Sequence, residues 1–177
     1  MRVKVTIRTL AHAPRHVHID RQRQRHRAGA ALLERLGDVE LFDAAAAKMG
    51  LKTKWSNASF DSLILGVSSD KYDVAVSSFT INDERKKQVN MISYFDAGTQ
   101  WVTAKGNPGK VDPKDPCGAT VGVQKGTVQQ EEDLPAKEKE CKSSGEPIKV
   151  LVYEGQDQAT AAVASGKADA MLADSPI

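Results

Sequence analysis

Two periods of apolar and polar residues run along this chain, and each change of period marks an element. Val3, Val5 and Ile7 alternate with polar residues, which predicts a half-buried strand over 2–9. No period is readable from there until Ala30. Beyond it, Val39, Phe42, Ala46 and Met49 recur at helical spacing, predicting a helix capped by Asp38 and ended by Gly50. Shorter runs predict strands at 51–55, 72–77, 100–104, 119–124, 149–153 and 168–173. Helices are predicted at 60–67, 82–88 and 158–165. Strands and helices taken in turn predict an α/β fold with largely parallel sheets. A faint internal echo supports two related halves: GVSSDKYDVAVSS (66–78) and AVASGKADAMLADS (162–175) both lead from a helix end into an apolar strand with a polar finish.

Composition divides the chain unevenly. Residues 1–37 hold eight Arg and one Lys against Asp20 and Glu34, a net +7, whereas 38–177 carry 16 basic and 21 acidic residues, a net −5. All four histidines (His12, His16, His18, His26) lie in the basic segment, without spacing that suits a metal. That segment admits three readings beyond its first strand: a basic arm for nucleic acid, an unstructured tail, or out-of-frame translation of a GC-rich gene, which is favoured over the first. A turn-rich stretch with three prolines and two glycines, GNPGKVDPKDP (106–116), is the natural boundary inside the remainder. The expected organisation is therefore 1–37 as an atypical basic segment, 38–105 as a first lobe, 106–116 as a hinge and 117–177 as a second lobe. No run is long and apolar enough for a membrane helix, and no leader pattern follows Met1.

Ligands of open α/β sheets collect beyond the carboxyl ends of strands, and three predicted strand ends are polar. Ser77, Ser78 and Thr80 follow the 72–77 strand, Thr127 follows 119–124, and Asp174 follows 168–173. Arg85, five residues past Thr80, can hold a carboxylate through two parallel hydrogen bonds, although beside Lys86 and Lys87 it also fits a solvated helix face. Gly126-Thr127 opens a candidate helix whose N–H groups favour an anion, and Asp174 suits an ammonium group or a simple cap. As a set they complement the two charges of an α-amino acid. Nucleotide-binding signatures (GxGxxG, GxxxxGK[ST]) and a GxSxG elbow are absent, and no histidine follows residue 37, which argues against an enzyme.

The stretches DVELFDAAAAKMGLK (38–52), FDSLILGVSSDKYDVAVSSFTINDERKKQV (60–89), VGVQKGTVQ (121–129) and SGKADAMLADSP (165–176) resemble the family 3 extracellular solute-binding proteins, with an actinobacterial character. The resemblance implies a two-lobed, type II periplasmic-binding-protein fold. It implies capture of a polar amino acid between the lobes and delivery to a membrane permease of an ABC importer. Thr80 and Arg85, assisted by Thr127, would hold the ligand carboxylate and Asp174 the ammonium, with Ser78 near the ligand backbone; apart from the resemblance, the Ser77 and Ser78 hydroxyls offer further hydrogen bonds. It also implies an extracytoplasmic location, no cofactor, no metal and no nucleic-acid partner. Cys117 and Cys141, the only cysteines, are then expected to form a disulfide rather than remain two separate thiols. Measured against the family pattern, both lobes are expected to be incomplete, with an altered N-terminus and a shortened C-terminus. A non-functional remnant and, less favoured, a dehydratase on the same scaffold stand as the alternatives.

Overall fold

The structure, a computed structural model, describes residues 2–7, 16–20 and 29–175, with side chains from 38 to 175. Half of the stretch 10–37, for which an unstructured tail is one reading, lies outside the described residues, namely 10–15 and 21–28. Within it, however, 16–20 form a strand and 29–37 the first turns of a helix. The chain divides into two compact units between Ala97 and Gly98.

In the first unit the order is β1 (Arg2–Ile7), β2 (His16–Asp20), α1 (Gly29–Lys48), β3 (Lys52–Ser56), α2 (Leu63–Ser68, entered through a 3-10 turn at Phe60–Ser62), β4 (Val74–Thr80), α3 (Asp83–Gln88) and β5 (Met91–Asp96). β2 and β3 pair in parallel, as expected. The other sheet does not follow that expectation: its order is β4-β1-β5 and both pairings are antiparallel. Asp38 is not an N-cap either, because α1 begins nine residues earlier, at Gly29. Its carboxyl is instead half-buried near Tyr94, and burial raises its pKa above the ordinary value while the nearby Tyr94 hydroxyl opposes the rise.

Helix α1 buries Phe42 and Ala46 against Val74, with Trp55 edge-on to Phe42 at 6.2 Å. Met49, expected on that face, is exposed, because the helix has already ended at Lys48 and Gly50 takes the left-handed φ of +71° that turns the chain into β3. Asp43 locks the same corner, accepting from Thr53 Oγ1 at 2.6 Å and from Trp55 Nε1 at 3.1 Å. A second cluster gathers Leu63, Val67, Tyr72, Ala75, Phe79 and Val89 under α2 and α3.

In the second unit, β6 (Thr99–Thr103), β7 (Thr120–Gln124), β8 (Lys149–Tyr153) and β9 (Ala170–Asp174) form one sheet of order β6-β9-β7-β8. β9, β7 and β8 run parallel, and β6 is the antiparallel edge. That pairing ties 98–105 to the second sheet, so the turn-rich segment 106–116 lies inside this unit. There the Asn107 side chain brackets Val111, donating to its carbonyl and accepting from its N–H, both at 3.0 Å. Two crossover helices complete the unit: α4 (Leu134–Ser144), preceded by one π-wound turn at Gln129–Asp133, and α5 (Gln156–Ala164). Val121, Val123, Leu134, Ala170 and Leu172 fill the core between sheet and helices. Cys117 and Cys141 are joined, fastening the chain ahead of β7 to α4. The echo between 66–78 and 162–175 is also structural: α2 leads into β4 as α5 leads into β9.

Candidate functional site

Each unit presents polar residues at a strand's carboxyl end, and each set is built from its own unit. In the first, β4 runs on past its expected end at Ser77 to Thr80, because Phe79 is buried at 1% exposure and pairs opposite Lys4. Ser77 and Ser78 therefore lie within the strand, not beyond it. They occupy the bulged stretch between the Val76–Val5 and Phe79–Lys4 pairs. Bulges of this kind re-aim side chains at a sheet's edge.

Asn82 then caps α3, its Oδ1 accepting from the Arg85 N–H at 2.9 Å. The cap turns Arg85 inward while Lys86 and Lys87 point to solvent and pair with Asp83 and Glu84. Arg85 is 5% exposed and so does not lie on a solvated helix face. Its guanidinium donates to the Thr80 carbonyl at 2.8 Å and lies 5.4 Å over the Phe79 ring, which stacks in turn on Phe60 at 4.3 Å. A guanidinium held by a carbonyl and an aromatic face keeps its charge and its planar fork in a fixed orientation.

In the second unit, the carboxyl ends of the neighbouring strands β7 and β9 bring Thr127 and Asp174 to one end of the sheet. β7 connects onward to β8 on one side, while β9 lies on its other side, so this is the point where the strand order reverses and ligand crevices of α/β sheets open. Gly126, at φ +76°, makes the turn after β7. The Thr127 hydroxyl donates to the Gln124 carbonyl at 2.7 Å and accepts from the Gln130 N–H at 3.3 Å, so it caps the following helical turn. Asp174 is 8% exposed, and its Oδ1 accepts from Gln129 Nε2 at 2.6 Å.

Sequence reasoning missed Gln129, which is 3% exposed and also donates to Thr99 Oγ1 at 3.1 Å. It missed Thr99 and Asp133 as well, although Thr99 donates to Asp133 Oδ2 at 3.0 Å. These contacts span 30 to 45 positions, and a polar residue two places after Gly-Thr carries no local signal of them. The Asp115, Cys117 and Cys141 side chains form the one group with metal-ligating atoms close together among the described residues, and its two sulfurs are already bonded to each other.

The family model for bacterial extracellular solute-binding proteins, family 3, matches residues 37–170. The arginine-binding protein ArgT of Corynebacterium glutamicum is 36% identical over 141 residues, which are 79% of this chain and 46% of that protein. The L-arginine-binding protein of Pseudomonas aeruginosa is 32% identical over 142 residues, 78% of this chain and 51% of that protein. The chain thus spans about half the length of the curated relatives it matches. Among solved structures, an ancestral arginine-binding protein bound to arginine matches at TM-score 0.73 and 29% identity, over 92% of this chain and 71% of that one. Holo ArgBP from T. maritima matches at TM-score 0.65 and 34% identity, over 78% of this chain and 58% of that one. The two-lobed α/β fold is that of the type II amino-acid-binding proteins. On the matched span and on this fold, the chain belongs to the bacterial extracellular solute-binding proteins, family 3.

Proposed function

We propose that this chain is the ligand-binding part of an ABC importer's solute receptor and that its ligand is a cationic amino acid, arginine first. The observation that carries the reading is that each unit holds one buried charge fixed by its neighbours at a strand's carboxyl end, Arg85 at 5% exposure in the first and Asp174 at 8% in the second. Arg85, oriented by Thr80 and Phe79, takes the α-carboxylate; Asp174 takes the α-ammonium. Thr127 orders the turn beside Asp174, and Ser77 and Ser78 offer hydroxyls near the ligand backbone. Arginine is put first because the relatives quoted above bind it by name. The fold neighbours also include an ancestral arginine-binding protein bound to glutamine, so uncharged amides belong in the ligand panel. Capture without chemical change, an extracytoplasmic location and delivery to a membrane permease complete the proposal.

The test is calorimetric titration of the wild type, Arg85→Lys and Arg85→Ala with arginine. Lys keeps the charge and loses the planar fork. Both variants should bind at least tenfold more weakly, a loss of about 1.4 kcal/mol. Unchanged affinity in Arg85→Ala would remove Arg85 from the site, and conversion of arginine to any product by the wild type would overturn the carrier reading.

A further inference from the structure

We infer that Asp133, Thr99 and Gln129 form a polarity lock that keeps Asp174 an acceptor and so makes the second unit selective for a cationic group. This rests on the reading of Asp174 as the ammonium partner. The proton inventory carries the argument. The Gln129 side chain has two N–H hydrogens on one nitrogen; one goes to Asp174 Oδ1 at 2.6 Å and the other to Thr99 Oγ1 at 3.1 Å. Thr99 has a single hydroxyl hydrogen, and it goes to Asp133 Oδ2 at 3.0 Å. Each bond fixes the sense of the next. If the Gln129 amide turned over, its oxygen would face Thr99, which would have to give up its proton to the amide. Thr99 would then present a lone pair to the Asp133 carboxylate.

The Asp133 oxygen, an acceptor for the Thr99 hydroxyl, opposes that exchange, so the nitrogen of Gln129, not its oxygen, faces Asp174. A proton on Oδ1 would face a donor, and a proton on Oδ2 would leave Oδ1 a weaker, uncharged acceptor for the Gln129 N–H. The lock therefore favours the carboxylate form of Asp174, the form that pairs with an ammonium. Its geometry comes from the π-wound turn at Gln129–Asp133, which carries both ends of the lock on one turn of helix. Insertions of this kind are frequent at functional sites. The Gln129 amide donates to the Asp174 carboxylate and to Thr99, and in the lock it serves as a positioning residue.

The test pairs a ligand-free measurement with a double-mutant cycle. In the ligand-free chain, the two side-chain amide protons of Gln129 should shift in NMR spectra as pH is lowered through the carboxyl range. Asp174→Asn should abolish most of that shift. In the cycle, Gln129→Met should weaken arginine binding about 10- to 100-fold in the wild type and less than about threefold in Asp174→Asn. Asp133→Ala, which removes a half-buried carboxylate, should weaken it severalfold without disturbing the fold, which keeps the inference testable if Gln129→Met does not fold. Equal losses in both backgrounds, or no loss from either variant, would overturn the lock. If the wild type binds no amino acid, the functional reading fails by itself. Gln129 amide protons that ignore Asp174 would then still overturn the lock, and protons that follow it would uphold it.

Discussion

Breaking the Cys117–Cys141 bridge should destabilise the second unit and leave the first unit's local stability alone. The two cysteines are 24 positions apart, and both lie inside the second unit. In the chain-entropy model, closing a loop of that size restricts the unfolded chain by about 3.5 kcal/mol at 25 °C. Cys141 sits at 1% exposure in the core between β7 and α4, so a serine there would add the cost of a buried hydroxyl. The cleaner perturbation is Cys117→Ala with Cys141→Ala. If the second unit melts as its own cooperative block, the loss corresponds to a fall in Tm of roughly 20 °C, and to about 10 °C if the whole chain melts together. Differential scanning calorimetry reads the shift, and hydrogen exchange locates it. Amides of β7, β8 and α4 should lose protection while those of β4 and α3 keep theirs. A double variant melting within about 3 °C of the oxidised protein would refute the loop-closure reasoning. So would protection lost mainly in β4 and α3.

Two further perturbations probe local physics. Asp38 has its pKa raised by burial, so the folded chain holds a proton there over a range in which the unfolded chain has already released it. Stability from this group is present below the ordinary carboxylate value of 3.8 and falls as pH rises through the folded value. Asp38→Asn should therefore raise Tm at pH 7, with the gain shrinking to nothing as pH falls below about 4; an equal gain at both pH values would contradict the assignment. Gly126 stands at φ +76°, so Gly126→Ala should cost about 1–2 kcal/mol in thermal unfolding, and Gly126→Asn less. Equal cost for both variants would show that space, not backbone conformation, sets the requirement.

How much of this was legible in the sequence depended on how each segment buries its side chains. Strands β7 and β9 bury apolar runs, while β3 alternates exposed lysines with half-buried Thr53 and Trp55 and β8 is an apolar run that is only half-buried, and all four are readable to within about two residues. β5 is not, because its half-buried positions, Met91 and Tyr94, are three residues apart instead of two. α4 escaped because only Leu134 and Cys141 are buried on it, seven positions apart in an otherwise charged surface. Its end at Gly145, which takes φ +86°, was the one local signal available. Asp38 reads as the start of α1 because an Asp directly ahead of the apolar-periodic run suits an N-cap, whereas the backbone is already helical from Gly29. The candidate site shows the same division. Arg85 and Asp174 stood out as charges beside apolar strands. The inward turn of Arg85 needed the Asn82 cap, and the partners of Asp174 come from β6 and from the turn before α4, both distant in sequence.

The central claim is that two buried, fixed charges serve an amino-acid ligand, and a thermal melt of the oxidised chain against a panel of amino acids tests it most directly. A ligand present at a thousandfold over its dissociation constant should stabilise the folded chain by about 4 kcal/mol, a Tm rise of roughly 10 °C. The account predicts that rise with arginine, a smaller one with lysine or glutamine and none with glutamate. A cooperative melt that no amino acid shifts at millimolar concentration would contradict it.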